Sequence, residues 1–96
     1  MLVRFGDFLA GPAGEPEEAL GVYAQALMWR PEDVETRLKM ADVHLGAASR
    51  YIENREYVAA EARLREARRF VVDPASRQAR TLRELENTLA DLSGRR

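Results

Sequence analysis

Few side chains in this sequence combine the types and the spacing that chemistry requires. The single histidine, His44, lies two residues after Asp42 in a segment with helical periodicity, and residues two apart point to different faces of a helix. The two side chains therefore do not form a base with its orienting carboxylate. No metal-ligand spacing, glycine-rich phosphate loop or nucleophile motif occurs in the chain. The sequence predicts a protein that is not an enzyme, with no catalytic residue, no metal site and no cofactor.

A run of arginines is the second chemical feature, because guanidinium groups bind the phosphates of nucleic acids. The run consists of Arg63, Arg65, Arg68 and Arg69, and a patch over residues 55–83 would add Arg55, Arg77, Arg80 and Arg83. Several acids stand at helical pairing distance from these bases: Glu61, Glu66, Glu84 and Glu86. No stacking aromatic accompanies the run on its exposed face. We favour a salt-bridged surface and keep nucleic-acid binding as an alternative.

The composition fits one small helical domain. The chain has 96 residues, of which 46% are hydrophobic and 32% charged, enough for one core of modest stability. No apolar run reaches the length of a membrane span, and Asp7 interrupts the apolar start of the chain, which lacks a signal-peptide core. There is no cysteine and hence no disulfide. We expect a single cytoplasmic domain over residues 1–96.

Two helices are predicted before residue 33. Residues 1–10 place Leu2, Phe5 and Leu9 at helical spacing and end at the breaker cluster 11–14. A second helix begins near Pro16, which suits a first helical turn, and stops at Pro31. One face of this helix has a small-large-small order that lets a neighbour pack closely: Ala19, Tyr23, Ala26 and Leu27.

Two further helices are predicted between residues 33 and 74. Asp33 is the expected N-cap of a helix with two adjacent apolar stripes, typical of an element covered on both sides. The stripes are Val34, Leu38, Ala41, Leu45, Ala48 and Ile52, and Met40, Val43, Ala47 and Tyr51. The next helix repeats the small-large-small order with Tyr57, Ala60, Leu64, Ala67 and Val71, and ends at Asp73-Pro74.

The last predicted helix runs from Pro74 to Leu92, with Asp73 as its expected N-cap. Its apolar stripe is Ala75, Ala79, Leu82, Leu85, Leu89 and Leu92. We interpret it as a helix that caps the stack, because an uncapped helical array exposes its core. The alternative is self-association through Leu82, Leu85, Leu89 and Leu92.

The residues Gly14, Ala19, Tyr23, Ala26, Leu27 and Pro31 resemble the second helix of a tetratricopeptide (TPR) repeat, a unit of about 34 residues. Phe5-Gly6 resembles the leucine-glycine pair of the first helix, and residues 40–45 resemble the same helix in a second repeat, with Ala41 in place of glycine. His44 then occupies the position of a packing aromatic. The helix that ends near Ile52 is about two turns longer than the family pattern and is expected to project. The resemblance implies repeats over 1–33 and 34–74 and a cap over 75–92.

In TPR proteins the first helix of each repeat lines a concave groove that holds a peptide or helix of a partner. Carried over to this chain, the resemblance implies a groove formed by Val3, Asp7, Ala10, Glu35, Leu38, Asp42 and Leu45. This mixture of apolar and acidic residues suits an amphipathic segment with a basic residue. Clamping of a C-terminal carboxylate is disfavoured, because Leu38 and Asp42 replace the required lysine and asparagine.

The sequence thus predicts an all-α fold, a short antiparallel stack of about five helices in helical hairpins. The leading hypothesis for its function is a non-enzymatic adaptor or accessory subunit that binds another protein. The alternatives are a homo-oligomer formed through the C-terminal leucines and a nucleic-acid-associated protein that uses the arginines of residues 55–83.

Overall fold

The computed structural model describes residues 2–11 and 14–94, and the chain over these residues is all-α. Its helices are α1 (Leu2–Ala10), α2 (Pro16–Trp29), α3 (Val34–Glu53), α4 (Tyr57–Phe70) and α5 (Arg77–Ser93). The molecule measures 43 × 28 × 17 Å, and the shortest dimension admits two layers of helices. The predicted fold class, an all-α stack of five helices, is confirmed.

Local signals determine where α2 and α3 begin. Pro16 occupies the first turn of α2, followed by the acids Glu17 and Glu18 near the positive end of the helix dipole. At the start of α3 the Asp33 carboxylate accepts hydrogen bonds from the Thr36 backbone N–H (3.4 Å) and from the Thr36 hydroxyl (3.0 Å). These bonds favour the ionised carboxylate and lower the pKa of Asp33. The predicted N-cap of α3 is confirmed.

The start of α5 differs from the prediction. Ser76 is the N-cap, and its hydroxyl accepts a hydrogen bond from the Ala79 backbone N–H at 3.1 Å. The Asp73 carboxylate instead accepts from the Ala75 N–H at 2.9 Å, which makes a turn before the helix. Ala75 therefore lies outside α5 and is exposed, so the expected cap and the first residue of the expected stripe were wrong.

α3 occupies the centre of the stack and packs against α2, α4 and α5. Met40 and Val43 lie in a core cluster with side chains of α1 and α2, whereas Leu45 and Ala48 lie in a second cluster with α4 and α5. The prediction of a helix covered on both sides is confirmed. The exception is Val34 at its first turn, which is exposed.

The extra turns at the end of α3 do not project freely. Tyr51 and Ile52 are half-buried and pack against the second cluster, beside Tyr57 of α4 and Leu85 of α5. The connection to α4 follows at once, with Arg55 at a positive φ of 63°. The expectation that this end projects beyond its neighbours does not hold for Tyr51 and Ile52, whose side chains pack on the cluster shared with α4 and α5.

α1 and α2 approach each other closely at Gly6. A Cβ atom added at Gly6 would come within 2.5 Å of the Tyr23 ring, closer than side-chain carbons approach. Gly6 therefore permits the ring to lie against the α1 backbone. Ala19 on the same face of α2 is fully buried, so the small-large-small face is used for packing as predicted.

Replacing Gly6 by Ala should lower the free energy of unfolding by about 1–3 kcal/mol, because the methyl group forces the Tyr23 ring or the helix to move. Chemical denaturation monitored by circular dichroism measures this change. Gly21→Ala is the matched control, since Gly21 is also helical but has nothing within 4 Å. The control should raise stability by about 0.5–1 kcal/mol through helix propensity. Equal effects of the two substitutions would contradict close packing at Gly6.

Candidate partner-binding groove

A concavity of about 570 Å³ lies between α1 and α3, next to the connection that leads into α2. Its lining combines small or apolar residues with charged ones. The lining residues are Asp7, Ala10, Gly11, Gly14, Pro16, Tyr23, Lys39, Asp42, Val43, Gly46 and Arg50. We call this concavity the groove.

Asp7 is the most strongly held polar side chain of the groove. Its carboxylate accepts a hydrogen bond from the Tyr23 hydroxyl of α2 at 2.5 Å and one from the Lys39 ammonium of α3 at 2.6 Å. One carboxylate thereby connects three helices. Such charge-assisted bonds are stronger than neutral ones, so Asp7 fixes the position of α1 relative to α3.

The pKa values of this network are shifted in opposite directions. Burial alone would raise the pKa of Asp7, but the hydrogen bonds from Lys39 and Tyr23 outweigh it, and the pKa falls below its ordinary 3.8. Burial and the neighbouring Asp7 carboxylate raise the pKa of Tyr23 well above its ordinary value. Near neutral pH the carboxylate is ionised and the phenol protonated, which is the combination that this hydrogen bond requires.

The second acid of the groove, Asp42, is also paired within the chain. It accepts hydrogen bonds from Arg77 (3.2 Å) and Gln78 (3.1 Å), both in the first turn of α5. A basic residue of a partner would therefore compete with internal partners at both Asp7 and Asp42. This geometry weakens the expectation that the partner segment supplies a base.

Gly46 and Arg50 extend the groove along α3. Gly46 is exposed and has no atom within 4 Å of the place where a Cβ would lie, so the α3 backbone is open to close approach. Arg50 is exposed and makes no ion pair within residues 2–11 and 14–94, unlike Lys39 and Asp42. The groove thus offers a small-residue floor with one available cation.

The structure separates the predicted groove residues into two sets. Asp7, Ala10 and Asp42 line the groove. The remaining predicted residues lie elsewhere: Val3 is half-buried against the core, Glu35 is exposed at the start of α3, Leu38 is half-buried, and Leu45 is 4% exposed inside the second cluster. On α3, the prediction chose a neighbouring face of the helix. The face that borders the groove is formed by residues three or four positions apart: Lys39, Asp42, Gly46 and Arg50.

The C-terminal leucines serve packing within the chain. Leu82 and Leu89 are buried against α3 and α4, Leu85 is half-buried beside them, and Leu92 is exposed. The predicted self-association seam is thus largely covered by the chain itself. This placement agrees with the interpretation of α5 as a capping helix.

His44 is held in the core between α3 and α4. Its ring stacks on Phe70 with centroids 6.0 Å apart, and its Nδ1 lies 3.2 Å from the Arg63 guanidinium. Nδ1 therefore accepts a hydrogen bond and the proton resides on Nε2. Burial, followed by the positive charge of Arg63, lowers the pKa of His44 below its ordinary 6.5. The ring acts as a packing aromatic, as the sequence interpretation stated.

The arginines of α4 and α5 largely form ion pairs with acids of this chain. Arg65 pairs with Glu61, Arg69 with Glu66, and Arg68 with Glu86 of α5. Arg63 reaches Glu17 of α2. Of the wider predicted patch, Arg77 pairs with Asp42, whereas Arg55, Arg80 and Arg83 form no ion pair with the described residues. The salt-bridged surface favoured from the sequence is thus present on α4 and only in part on α5.

Asp7→Asn should destabilise the protein by about 1 kcal/mol at neutral pH, because a charge-assisted contact is lost at a half-exposed site. The pKa of Asp7 is depressed on folding, so its contribution is full above its unfolded pKa and is lost as the pH falls through the folded pKa. Urea unfolding of wild type and variant should therefore differ at pH 7 and converge near the pH at which Asp7 protonates. A difference that is independent of pH would contradict this role.

His44→Phe should remove a pH dependence that the wild type shows. The folded chain keeps the ring neutral, whereas the unfolded chain protonates it below 6.5, so the free energy of unfolding falls as the pH drops below that value. The non-titrating ring retains the stacking on Phe70 and lacks this decline. Thermal unfolding of the two proteins is measured between pH 8 and pH 5. If both lose stability equally as the pH falls, the pKa of His44 is not lowered by folding.

Within residues 2–11 and 14–94, no three metal-ligating side chains lie close enough together to hold an ion. None of the helices described above combines the length and apolar character of a bilayer crossing. In comparisons with protein-family models, curated proteins and solved structures, nothing matches this chain.

Proposed function

We propose that this protein is a non-enzymatic interaction module, an adaptor or accessory subunit that binds a segment of another protein in the groove between α1 and α3. The single observation that carries the proposal is the groove itself. Its volume of about 570 Å³ admits several side chains, its lining combines small and charged residues, and it opens to solvent.

The order of the helices supports the TPR-like part of this proposal. α1 pairs with α2 and α3 with α4 as consecutive antiparallel helices, and α5 closes the stack against α3 and α4. Fully buried alanines lie where the repeat pattern has small residues: Ala19, Ala41, Ala60 and Ala67. The groove lies between α1 and α3, the helices that the resemblance designates as groove-lining.

The chemistry of the groove defines the kind of segment it would accept. Ala10, Gly11 and Gly46 leave room for a backbone with small or apolar side chains, and Val43 adds an apolar contact. Arg50 is the charged lining residue without an ion pair in the described part of the chain. A partner segment with small apolar residues and one acidic residue complements this arrangement.

Two observations support a binding role over catalysis. The single histidine is buried, with its ring stacked and its Nδ1 occupied by Arg63. The raised pKa of Tyr23 keeps its hydroxyl protonated, so it is a poor nucleophile near neutral pH. A cytoplasmic location belongs to the same proposal and rests on the cysteine-free composition.

Filling the groove should abolish partner capture without unfolding the protein. Gly46→Leu places a side chain in the groove at an exposed helical position, where the substitution also improves helix propensity. The tagged protein is used to capture partners from lysate of the source cell, and each recovered protein is quantified by mass spectrometry. Recovery of a groove-bound partner should fall at least about tenfold, the loss typical of a disrupted interface centre.

Gly21→Leu is the matched control, because it adds the same side chain to an exposed helical glycine outside the groove. It should capture the partner as the wild type does. Arg50→Glu should weaken capture of the same partner through charge repulsion, and added salt should partly restore its binding because salt screens that repulsion. Undiminished capture by a folded Gly46→Leu variant would overturn the groove as the binding site.

A further inference from the structure

Three aromatic side chains of the first hairpin are exposed to solvent. Phe5 and Phe8 of α1 are each 53% exposed, and Trp29 at the end of α2 is 82% exposed. Together they present about 400 Å² of aromatic surface, on the usual scale of aromatic side-chain areas.

These side chains lie on the outer edge of the hairpin, away from the rest of the stack. On α1, Asp7 faces α3. An α-helix turns about 100° per residue, so Phe8 lies about 100° and Phe5 about 160° around the helix axis from Asp7. On α2, Trp29 lies about 120° from both Tyr23, which faces α1, and Glu17, which pairs with α4. We call this surface the outer edge.

The register of the hairpin gives the outer edge a basic end and an acidic end. Gly6 lies opposite Tyr23 and the two helices are antiparallel, so Arg4 lies toward the Trp29 end. Glu15 and Glu18, at the start of α2, lie toward the Phe8 end. Arg4, Glu15 and Glu18 form no ion pair within the described residues. The arginines of α4, by contrast, all form ion pairs.

We propose that the outer edge is a homodimer interface, occupied by the outer edge of a second copy of this chain. A two-fold axis places the same patch on both subunits, so the patch must complement itself. In an antiparallel arrangement the Arg4 end of each copy meets the Glu18 end of the other, while the aromatic residues pack at the centre. The charge arrangement favours this occupant, since one surface supplies both halves of each ion pair.

The area available fits a modest, reversible dimer. A standard interface buries about 800 Å² per partner, and the three aromatic residues supply roughly half of that, with the exposed Gln25 and the charged ends around them. Aromatic anchors at the centre of a patch carry most of the binding energy. Around α1, Phe5 and Phe8 lie about 100° or more from Asp7 and Ala10, the groove residues of that helix. The dimer therefore uses other side chains of α1, and the proposal does not rest on the proposed function.

Trp29 is the only tryptophan of the chain and serves as an intrinsic probe. Its emission maximum should shift to shorter wavelength as the wild-type protein is concentrated from low micromolar toward millimolar, because dimerisation removes water from the indole. Sedimentation velocity over the same series should show a transition from monomer to dimer. A protein that stays monomeric with an unshifted emission overturns the proposal.

Charge-swap variants test the two-fold arrangement. Arg4→Glu and Glu18→Arg should each raise the dimer dissociation constant about tenfold, and the double variant should recover most of the loss, because the contact between positions 4 and 18 is again between opposite charges. Additive losses in the double variant would overturn the antiparallel pairing of the two ends.

Phe8→Ser tests the aromatic centre and should abolish dimerisation while the helical circular dichroism remains. Val58→Ser is its control, since Val58 is 85% exposed on α4 and lies outside the outer edge. It should dimerise as the wild type does. The proposal is overturned if a folded Phe8→Ser protein still forms the dimer. It is also overturned if Val58→Ser loses dimerisation as strongly as Phe8→Ser does.

Discussion

The contact of Tyr23 with Gly6 and Asp7 is the constraint on which the rest of the structure depends. The Tyr23 ring lies against the α1 backbone because Gly6 has no side chain, and its hydroxyl binds the next residue, Asp7. Lys39 binds the same carboxylate from α3. One buried phenol therefore sets the distance between α1 and α2 and also determines which face of α1 turns toward α3.

α3 transmits this arrangement to the rest of the stack. Side chains of its N-terminal half pack in the core cluster with α1 and α2, and those of its C-terminal half pack in the cluster with α4 and α5. Asp42, near its middle, holds the first turn of α5 through Arg77 and Gln78. In the groove, Asp7 pairs with Lys39 and Asp42 pairs with Arg77, so Arg50 is the charged lining residue that remains for binding.

Helix identity and packing faces could be predicted from sequence because apolar period and local caps are encoded within a few residues. The buried faces around Tyr23 and Leu64 followed from such spacing. The Asp7–Lys39 pair could not be predicted, since its members are 32 residues apart and meet only once the helices stack. The start of α5 was missed because Asp73 and Ser76 both suit an N-cap, and the local turn at Asp73 decides between them.

The two proposed surfaces follow from one geometric fact about α1. A helix of nine residues has room for one buried face, here formed by Gly6 and Leu9, which leaves a side on either flank. The flank toward α3 carries Asp7 and is drawn into the groove by Lys39, so it is polar and fixed. The opposite flank carries Phe5 and Phe8, and no helix of the described chain covers it. The groove and the outer edge therefore use different side chains of the same short helix.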